Sequence, residues 1–381
     1  MPYKTFGFTD EQVLMRDNAL GLLQRVLPPS EVEALERDSA YPLDAYKALA
    51  RDGWLALPFD EEYGGAKAGY KDLAVLIEAL GYHHNGIRSA YMTSVIYGGM
   101  HIQANAAEEI KREFLPKIIA GELRMAIGYT EPQSGSDAAG IKTRAVRDGD
   151  DYVLNGQKVY ITNAHHADYI VFTAKTDPDA GLRGISLFLV DAKSQGVDIH
   201  TLDALGCRTS LPNEIFLDNV RVPARNMLGG ENEGWKRLMH GLNLERVLLS
   251  ASGVGQCFKI IEVARNFLDG REAFGQPISE FQAVSHKFAD MLILTEAARQ
   301  MTFHTADMLD AGADAVVETA IAKTLASESN WKVADLGMQI MGAAGYMQGE
   351  MQRMFADARQ GTIGGGSSEV MRNVIAKRMG L

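Results

Sequence analysis

One carboxylate interrupts a helix face that is otherwise apolar. The face carries, at helical spacing, Leu238, Leu242, Glu245, Leu248, Leu249 and Ser252. A carboxylate in such a place is costly to bury unless it is paired or protonated, and burial raises its pKa toward the range that suits a general base. The same pattern also fits a glutamate at the edge of the face, or one that pairs with a distant arginine. Glu245 is therefore a candidate base.

Two segments near the middle of the chain combine hydroxyl groups with turn residues. Residues 129–137 (YTEPQSGSD) can present N–H and O–H groups to a polar ring or an anion, and they also fit an ordinary turn with Asx and Ser caps. Residues 155–163 begin with Asn-Gly, which favours a tight hairpin turn, and continue to the aromatic Tyr160 and the hydroxyl of Thr162. An ordinary hairpin explains the second segment equally well.

Two later segments have features of phosphate sites. Residues 271–278 place Arg271 between two predicted helices, where a guanidinium can bind a phosphate. Residues 363–370 (IGGGSSEV) put a glycine-rich loop before a helix N-terminus, where free N–H groups favour an anion. The alternative for the last segment is a flexible start of a helix.

The elements that must position these residues follow an α, then β, then α order. We predict an α+β multidomain fold with an N-terminal α-helical domain (1–121), a middle antiparallel β domain, sandwich or barrel (122–230), and a C-terminal four-helix bundle (231–381). Thr9 and Gln12 form the pattern of a capping box at the first helix. Helical periodicity covers residues 10–27, 43–52, 70–81, 108–120, 232–269, 279–311, 314–341 and 367–379. Strand patterns cover residues 144–147, 152–160, 169–175, 185–190, 199–201 and 214–222.

Composition excludes some classes of function. The net charge of −11 over 381 residues argues against a nucleic-acid partner, which needs a basic face. The cysteines Cys207 and Cys257 are far apart and suggest a reduced, cytoplasmic setting without a disulfide framework. We find no signal-like segment and no apolar run long enough to span a bilayer, so we expect no membrane insertion. The histidine pairs 83–84 and 165–166 predict no metal site, because neighbours on a helix or strand point apart.

In their order along the chain, these motifs resemble the acyl-CoA dehydrogenase family. The resemblance extends over nearly the whole chain and includes Tyr63-Gly64-Gly65 and Gln339-Ile340-Met341-Gly342, with a departure at Ala343, where many members have glycine. It implies a middle β-barrel, FAD between that barrel and the bundle, and usually a homotetramer in which a neighbouring subunit completes each FAD site. It also implies an acyl-CoA substrate and an electron-transferring flavoprotein as electron acceptor.

Site residues follow from the resemblance, motif by motif. The flavin ring would be flanked by Ile127, Tyr129, Thr130, Tyr160 and Thr162. Ser136 would face both cofactor and thioester. Arg271, Phe274 and Gln282 would reach FAD across a subunit interface, and the pyrophosphate or adenosine side would contact Gln339, Ser367 and Glu369.

The catalytic base does not lie where many family members carry it. Those members have Tyr-Glu-Gly-Thr in the last loop, and the matching residues 364–367 place Gly365 at the glutamate position. A second branch, similar to isovaleryl-CoA and long-chain acyl-CoA dehydrogenases, carries the base on the first bundle helix, followed by arginine. Residues 242–246 (LNLER) match that branch, so Glu245 is the expected base and Gly365 makes room for it. By resemblance, the Gly365 N–H would stabilise the enolate, and Asn243 and Arg246 would bind substrate.

A further arginine suggests what the acyl chain carries. Residues 86–91 (GIRSAY) resemble the glutaryl-CoA dehydrogenase segment whose arginine contacts a distal carboxylate, which Arg88 would do here. Alternatives are a solvated Arg88 or a pair with Glu78. Because glutaryl-CoA enzymes use the last-loop glutamate, simple glutaryl-CoA decarboxylation is not the favoured reaction.

The resulting hypothesis is dehydrogenation of an acyl-CoA to its trans-2-enoyl-CoA. Two alternatives remain open at the level of sequence. One is an acyl-CoA oxidase or flavin monooxygenase on the same fold. The other is a non-catalytic flavoprotein that binds CoA esters or a partner, and its only support is the missing glutamate at Gly365.

Overall fold

Helices form the first part of the chain in this computed structural model, which describes residues 7–381 except the side chain of His240. The capping box is confirmed, since the Gln12 N–H donates to the Thr9 hydroxyl and the Thr9 N–H donates to the Gln12 amide oxygen, each at 3.2 Å. The N-terminal helices are α1 (Asp10–Val26), α2 (Pro29–Asp38), α3 (Leu43–Arg51), α4 (Tyr70–His83), α5 (Asn85–Tyr91), α6 (Met100–Asn105) and α7 (Glu108–Ile119).

A π-helical segment, Met92–Gly99, joins α5 to α6 without a break. This continuous helix was not predicted from the sequence, because the segment is short and buried on nearly all sides. Gly98 lets the next strand pass closely, since a Cβ there would lie 2.2 Å from the Cβ of Met125. Segments of π-helix are rare and often lie at functional sites.

The middle of the chain is a mainly antiparallel sheet, as predicted. Its order is β6-β7-β3-β2-β4-β5-β8, with β1 paired to β4. Two pairings are parallel, β1 with β4 and a single residue pair between β2 and β4. Side chains from several strands, such as Tyr152, Phe172 and Val220, meet in one apolar core. The strands are β1 (Met125–Gly128), β2 (Arg144–Asp148), β3 (Asp151–Thr162), β4 (Tyr169–Lys175), β5 (Ile185–Asp191), β6 (Val197–Thr201), β7 (Pro212–Pro223) and β8 (Met227–Leu228).

The C-terminal part is the predicted helical bundle with two short helices added. Helix α8 packs against α9 and α10, and α10 packs against α13. A small hairpin, β9 (Glu272–Ala273) and β10 (Gln276–Pro277), lies between the first two helices. The helices are α8 (Gly234–Leu268), α9 (Gln282–Asp310), α10 (Val316–Met341), α11 (Ala343–Tyr346), α12 (Glu350–Gln360) and α13 (Ser368–Arg378).

Close contact between α4 and α8 fixes the helix that carries Glu245. A Cβ at Gly81 would lie 2.6 Å from the Ser252 carbonyl oxygen, and one at Gly255 would lie 2.1 Å from the Glu78 carbonyl oxygen. Neither position tolerates a side chain without separating the helices. Glycine on each helix therefore sets their spacing.

Helix α8 corrects one expectation from the sequence. By length and composition it meets the requirement for a membrane-spanning helix, although the sequence analysis found no such run. Within its apolar window, 72% of the residues are buried inside the protein. Its contacts with α4, α9 and α10 account for this composition, which a core helix shares.

Candidate active site

Glu245 is buried on α8, with 8% of its surface exposed. Burial raises the pKa of its carboxyl to about 7, while Arg246, a hydrogen bond from Tyr97 and the charge of Lys323 act in the opposite direction. The predicted apolar surroundings are present, because Leu238 and Leu248 on the same face are also buried. A carboxylic acid with a pKa near neutrality can accept a proton at physiological pH and release it again.

Two tyrosines flank this carboxylate. Burial first, and then the Glu245 charge, raise the pKa of Tyr97 well above its ordinary value, whereas for Tyr129 the Glu245 charge is the larger cause and burial the second. Tyr129 follows β1 and was predicted from its motif. Tyr97 was missed, because it lies on the π-helical segment and belongs to no recognisable motif. Both phenols therefore stay neutral and can donate hydrogen bonds toward the base.

The glycine-rich loop meets α8 at Glu245. Gly365 has a φ of 66°, and a Cβ there would lie 2.4 Å from Leu249 Cδ1 and 3.6 Å from Glu245 Oε1. A side chain at position 365 would therefore clash with Leu249 and would lie in van der Waals contact with the Glu245 carboxylate. Arg246, the next residue on α8, contacts the adjacent part of the loop, with its Nη2 3.6 Å from the position of a Cβ on Gly366. Asn243, one turn earlier, is half-buried.

The helix after this loop begins with a side-chain cap. The Ser367 hydroxyl accepts a hydrogen bond from the Val370 N–H at 3.3 Å, which defines the N-terminus of α13. Glu369 is exposed in the first turn. Of the predicted phosphate-side residues, Ser367 therefore also has a local structural role.

A buried ion pair anchors the 129–137 loop. Lys158 Nζ lies 2.8 Å from Glu131 Oε1, and the Glu131 carboxylate also accepts the N–H groups of Lys142 at 2.6 Å and Thr143 at 3.1 Å. Burial raises the pKa of Glu131, but Lys158 and these hydrogen bonds more than offset it and leave the pKa lowered. The sequence motif suggested a set of free donors and gave no sign of this buried ion pair. The carboxylate fixes the loop from inside.

The two middle segments form one surface. The Val159 N–H donates to the Thr130 carbonyl oxygen at 3.0 Å, which joins them directly. Tyr160 has a φ of 60° and is 68% exposed, in an irregular part of β3. Ile127, Thr130 and Thr162 are half-buried. An aromatic face together with hydroxyl and backbone donors suits a planar polar ring such as that of a flavin.

A small cavity separates the serine-containing loop from the start of α8. Ser136 follows the lining residue Gly135 in the sequence and is exposed. The cavity is lined by Tyr129, Ser134, Gly135, Ala138, Ile141, Thr173, Ile185, Trp235 and Leu238. The chain thus brings the first motif and the Glu245 helix to one place.

The remaining predicted cofactor residues lie on the exposed surface of the bundle. Phe274, in the β9–β10 turn, has a φ of 53° and is 98% exposed. Arg271 stacks on Phe267 with its guanidinium carbon 5.3 Å from the ring centroid. Gln282 and Gln339 are exposed as well. A single chain therefore does not bring these residues together with the buried residues around Glu245.

Arg88 is half-buried on α5 and lies near enough to Tyr97 to affect its pKa. Its Nη2 donates to the Asn85 Oδ1, and its charge acts on Tyr97. Within residues 7–381, its buried Nε has no hydrogen-bond partner. The alternative pair with Glu78 is wrong, because Glu78 pairs with Arg299 at 2.9 Å.

The histidine pairs have local structural contacts. His83 Nε2 lies 2.8 Å from the Leu27 carbonyl oxygen, and His84 Nε2 lies 2.7 Å from Glu36 Oε1. The rings of His165 and His166 are only 3.9 Å apart, so the expectation that they diverge was wrong, since they lie in a tight 3₁₀ turn rather than in a regular helix or strand. Among the described residues, no group of three or more His, Cys, Asp or Glu is arranged to hold a metal ion.

Each of the three parts of the chain matches a domain of one protein family. The acyl-CoA dehydrogenase N-terminal domain matches residues 9–122, the middle domain matches residues 126–220, and the C-terminal domain matches residues 232–380.

Similar proteins extend over almost the whole length. A probable acyl-CoA dehydrogenase of Bacillus subtilis, YngJ, is 34% identical over 98% of this chain and 99% of its own. Mitochondrial isovaleryl-CoA dehydrogenase of Pongo abelii is 34% identical over 97% of this chain and 89% of its own. The CarC subunit of the caffeyl-CoA reductase–Etf complex of Acetobacterium woodii is 32% identical over 97% of this chain and 98% of its own.

Solved structures agree with the fold. The acyl-CoA dehydrogenase of Geobacillus kaustophilus superposes with a TM-score of 0.94 at 32% identity, over 99% of this chain and 100% of that one. PigA, solved with FAD and proline, gives a TM-score of 0.94 at 26% identity, over 99% of each chain.

The fold and the site define a flavin-dependent oxidoreductase. The chain belongs to the acyl-CoA dehydrogenase family, and its cofactor is FAD. The predicted fold class is thereby confirmed, as is the predicted resemblance to a family that includes isovaleryl-CoA dehydrogenase.

Proposed function

We propose that this protein dehydrogenates an acyl-CoA thioester to the trans-2-enoyl-CoA, with Glu245 as the base that removes the α-proton. The observation that carries the proposal is the position of Glu245, which is buried beside Tyr97, Tyr129 and Gly365 with a pKa of about 7. Bound FAD supplies the acceptor for the β-hydrogen, which leaves as hydride. A non-catalytic role would give no reason to keep a buried carboxylate with a raised pKa on this largely apolar helix face.

The chain assists proton removal in two ways. The α-hydrogen of a thioester is a weak acid, so the developing enolate oxygen needs donors aimed at it. We assign one of these to the N–H of Gly365, in the loop that packs against Glu245. Tyr97 and Tyr129 cover the carboxylate and limit the access of water, which strengthens the electrostatic interactions inside the site.

We further propose that the acyl group carries an acidic function at its distal end, bound by Arg88. Support comes from the half-buried guanidinium, its unpartnered Nε and its electrostatic interaction with Tyr97, the tyrosine that also interacts with Glu245. Asn85 is held from behind by Gln256 at 3.2 Å, which fixes the side chain that Arg88 contacts. A guanidinium held in this way is suited to bind a carboxylate with two hydrogen bonds.

Arg88→Ala tests the acyl specificity. We expect KM to rise about 10- to 100-fold for ω-carboxylated acyl-CoAs, because a partly desolvated charge pair is lost. Neutral acyl-CoAs of equal length are the matched control, and their KM is expected to change little. Equal effects on both substrate types would contradict a carboxylate site at Arg88.

The proposal also covers the assembly of the protein, its electron acceptor and its location in the cell. We infer a cytoplasmic homotetramer that passes electrons to an electron-transferring flavoprotein. The exposed Phe274 and Arg271 support an assembly in which a neighbouring subunit meets this surface. The similarity to the CarC subunit of an Etf complex supports the electron acceptor.

Anaerobic titration of the FAD-containing protein with acyl-CoAs tests the reaction itself. The panel contains short, long, branched and ω-carboxylated chains, and loss of the flavin absorbance is followed. We expect bleaching by one class, and by ω-carboxylated chains if Arg88 acts as proposed. An oxidase would bleach under the same conditions, and a separate aerobic assay without a dye acceptor distinguishes it by rapid consumption of oxygen. Failure of every member of the panel to bleach bound flavin would contradict the dehydrogenase proposal.

A further inference from the structure

A buried cation holds the glycine-rich loop at both ends. Lys323 lies on α10 with 2% of its surface exposed. Its Nζ donates to the Gly361 carbonyl oxygen at 2.8 Å and to the Gly366 carbonyl oxygen at 2.5 Å. One ammonium group therefore joins the first and last parts of the loop that contains Gly365. The dehydrogenation chemistry described above gives this lysine no role.

Several of the loop's other hydrogen bonds hold only its first turn, where the N–H groups of Ile363 and Gly364 donate to the Gln360 carbonyl oxygen at 2.9 and 3.0 Å. Gly365 and Gly366 both have left-handed backbones, with φ of 66° and 94°, and glycine loses more conformational freedom on folding than any other residue. The backbone adds a bond from the Ser368 N–H to the Thr362 carbonyl oxygen at 3.1 Å. The hydrogen bonds from Lys323 link the two ends of the loop and so reduce the number of orientations that the Gly365 peptide can adopt.

We propose that Lys323 is a positioning residue for proton abstraction: it fixes the Gly365 peptide against Glu245 and places a positive charge near the Glu245 carboxylate. The inference rests on the proposed function of Glu245 and deepens it. Lys323 does not contact the reacting atoms in this scheme, and it acts through the loop and through the base.

The charged surroundings of the pair come from several elements. Lys323 is faced by Arg246 on α8, by Glu328 on its own helix and by Glu369 on α13. Glu245 is faced by Arg246, Tyr97, Tyr129 and Lys323. Burial is the main cause that lowers the pKa of Lys323, to about 8, so the ammonium form dominates at neutral pH. Its charge stabilises the Glu245 carboxylate, and removing it leaves that carboxyl harder to ionise.

Lys323→Met tests the inference with Lys332→Met as the matched control. Lys332 lies on the same helix but is exposed, and it pairs with Asp335 at 3.0 Å. In Lys323→Met we expect flavin reduction by a substrate acyl-CoA to slow about 10- to 100-fold at pH 7, with a smaller change in Kd. The acid limb of the pH profile, which is the fall in the rate of flavin reduction at low pH, should move to higher pH. Lys323→Arg keeps the charge and should retain the position of that limb.

A second measurement does not depend on catalysis. Hydrogen exchange of the amides in residues 362–367, followed by mass spectrometry on the FAD-containing protein, reports whether the loop is held. We expect exchange at least about tenfold faster in Lys323→Met than in Lys332→Met. If Lys323→Met does not fold, Lys323→Gln, which keeps a donor without the charge, serves for the measurement of the acid limb.

Unchanged loop exchange together with an unchanged acid limb in the Lys323 variant would overturn the inference. Glu245→Gln separates this failure from failure of the proposed function. If Glu245→Gln reduces flavin normally, the assignment of the base is wrong, while the exchange measurement still decides whether Lys323 holds the loop. A purely structural lysine would lower the melting temperature without moving the acid limb.

Discussion

At the scale of single residues, the central feature is the balance of forces on one carboxyl. Burial raises the pKa of Glu245, and Arg246, Tyr97 and Lys323 limit the rise to about 7. The reaction needs the ionised form, so the rate of flavin reduction should increase as pH rises through about 7 and level off above it. A group with an ordinary glutamate pKa would instead give a rate that is constant over this range.

Tyr97→Phe tests the residue that sequence analysis missed. The Tyr97 hydrogen bond stabilises the Glu245 carboxylate, so its loss should raise the pKa of Glu245 and move the acid limb to higher pH. At pH 7 we expect flavin reduction to be about two- to tenfold slower, with recovery at higher pH. Stopped-flow measurements across pH check this. A slower rate at every pH, with no movement of the limb, would contradict the assigned role.

Residue patterns differ in how well they predict the site. Glu245 was found by periodicity, because a carboxylate among Leu238, Leu242 and Leu248 breaks a helical pattern that sequence alone displays. Tyr97 could not be found this way, since an aromatic residue in an apolar segment looks like core. Glu131 and Lys158 are 27 positions apart and pair only because the folded sheet brings β3 beside the preceding loop. Pairings of this kind depend on tertiary structure and leave no local signal.

At the scale of elements, the site depends on a glycine loop meeting a helix that is held in place by another helix. Gly81 and Gly255 set the spacing of α4 and α8. At Gly365 the loop backbone packs closely against Leu249 and lies near Glu245. The α-β-α order and the long bundle helices were predictable from hydrophobic period. Strand β1 and the π-helical segment were not, because both are short or buried on nearly all sides.

Gly365→Ala tests the contact between loop and helix. The new methyl group would meet Leu249 Cδ1 at 2.4 Å and the residue would have to keep a left-handed backbone. We expect the free energy of unfolding to fall by about 1–2 kcal/mol and flavin reduction to slow. Gly364→Ala is the matched control, since a Cβ there meets only the flexible amide end of Gln360. Equal stability and equal rates in the two variants would contradict this account of the loop.

At the scale of the whole molecule, the single chain gathers only part of the predicted site. Glu245, Tyr129 and Gly365 come together inside it, whereas Arg271, Phe274 and Gln282 lie on its surface. A sequence contains no direct signal for contacts between copies, so these three roles came from family resemblance alone. Their exposure is what a site completed by a neighbouring subunit requires.

Phe274→Asp tests whether assembly completes the cofactor site. We expect the wild type to have a solution mass about four times that of the 41.6 kDa chain. In the variant we expect weaker FAD retention, measured by flavin content after gel filtration, because a charge replaces an apolar contact. Leu14→Asp, at a residue that is 61% exposed on α1, is the control. Full FAD retention by Phe274→Asp in an unchanged assembly would contradict the role of this surface.

The most direct measurement is single-turnover flavin reduction by Glu245→Gln. The amide keeps the shape of the side chain but cannot accept the α-proton, so the reduction rate should fall by about 10²- to 10⁴-fold, and the acid limb near pH 7 should disappear. Flavin content and binding of acyl-CoA should remain near those of the wild type, which shows that the site is intact. Reduction at the wild-type rate by FAD-containing Glu245→Gln would contradict the assignment of Glu245 as the base.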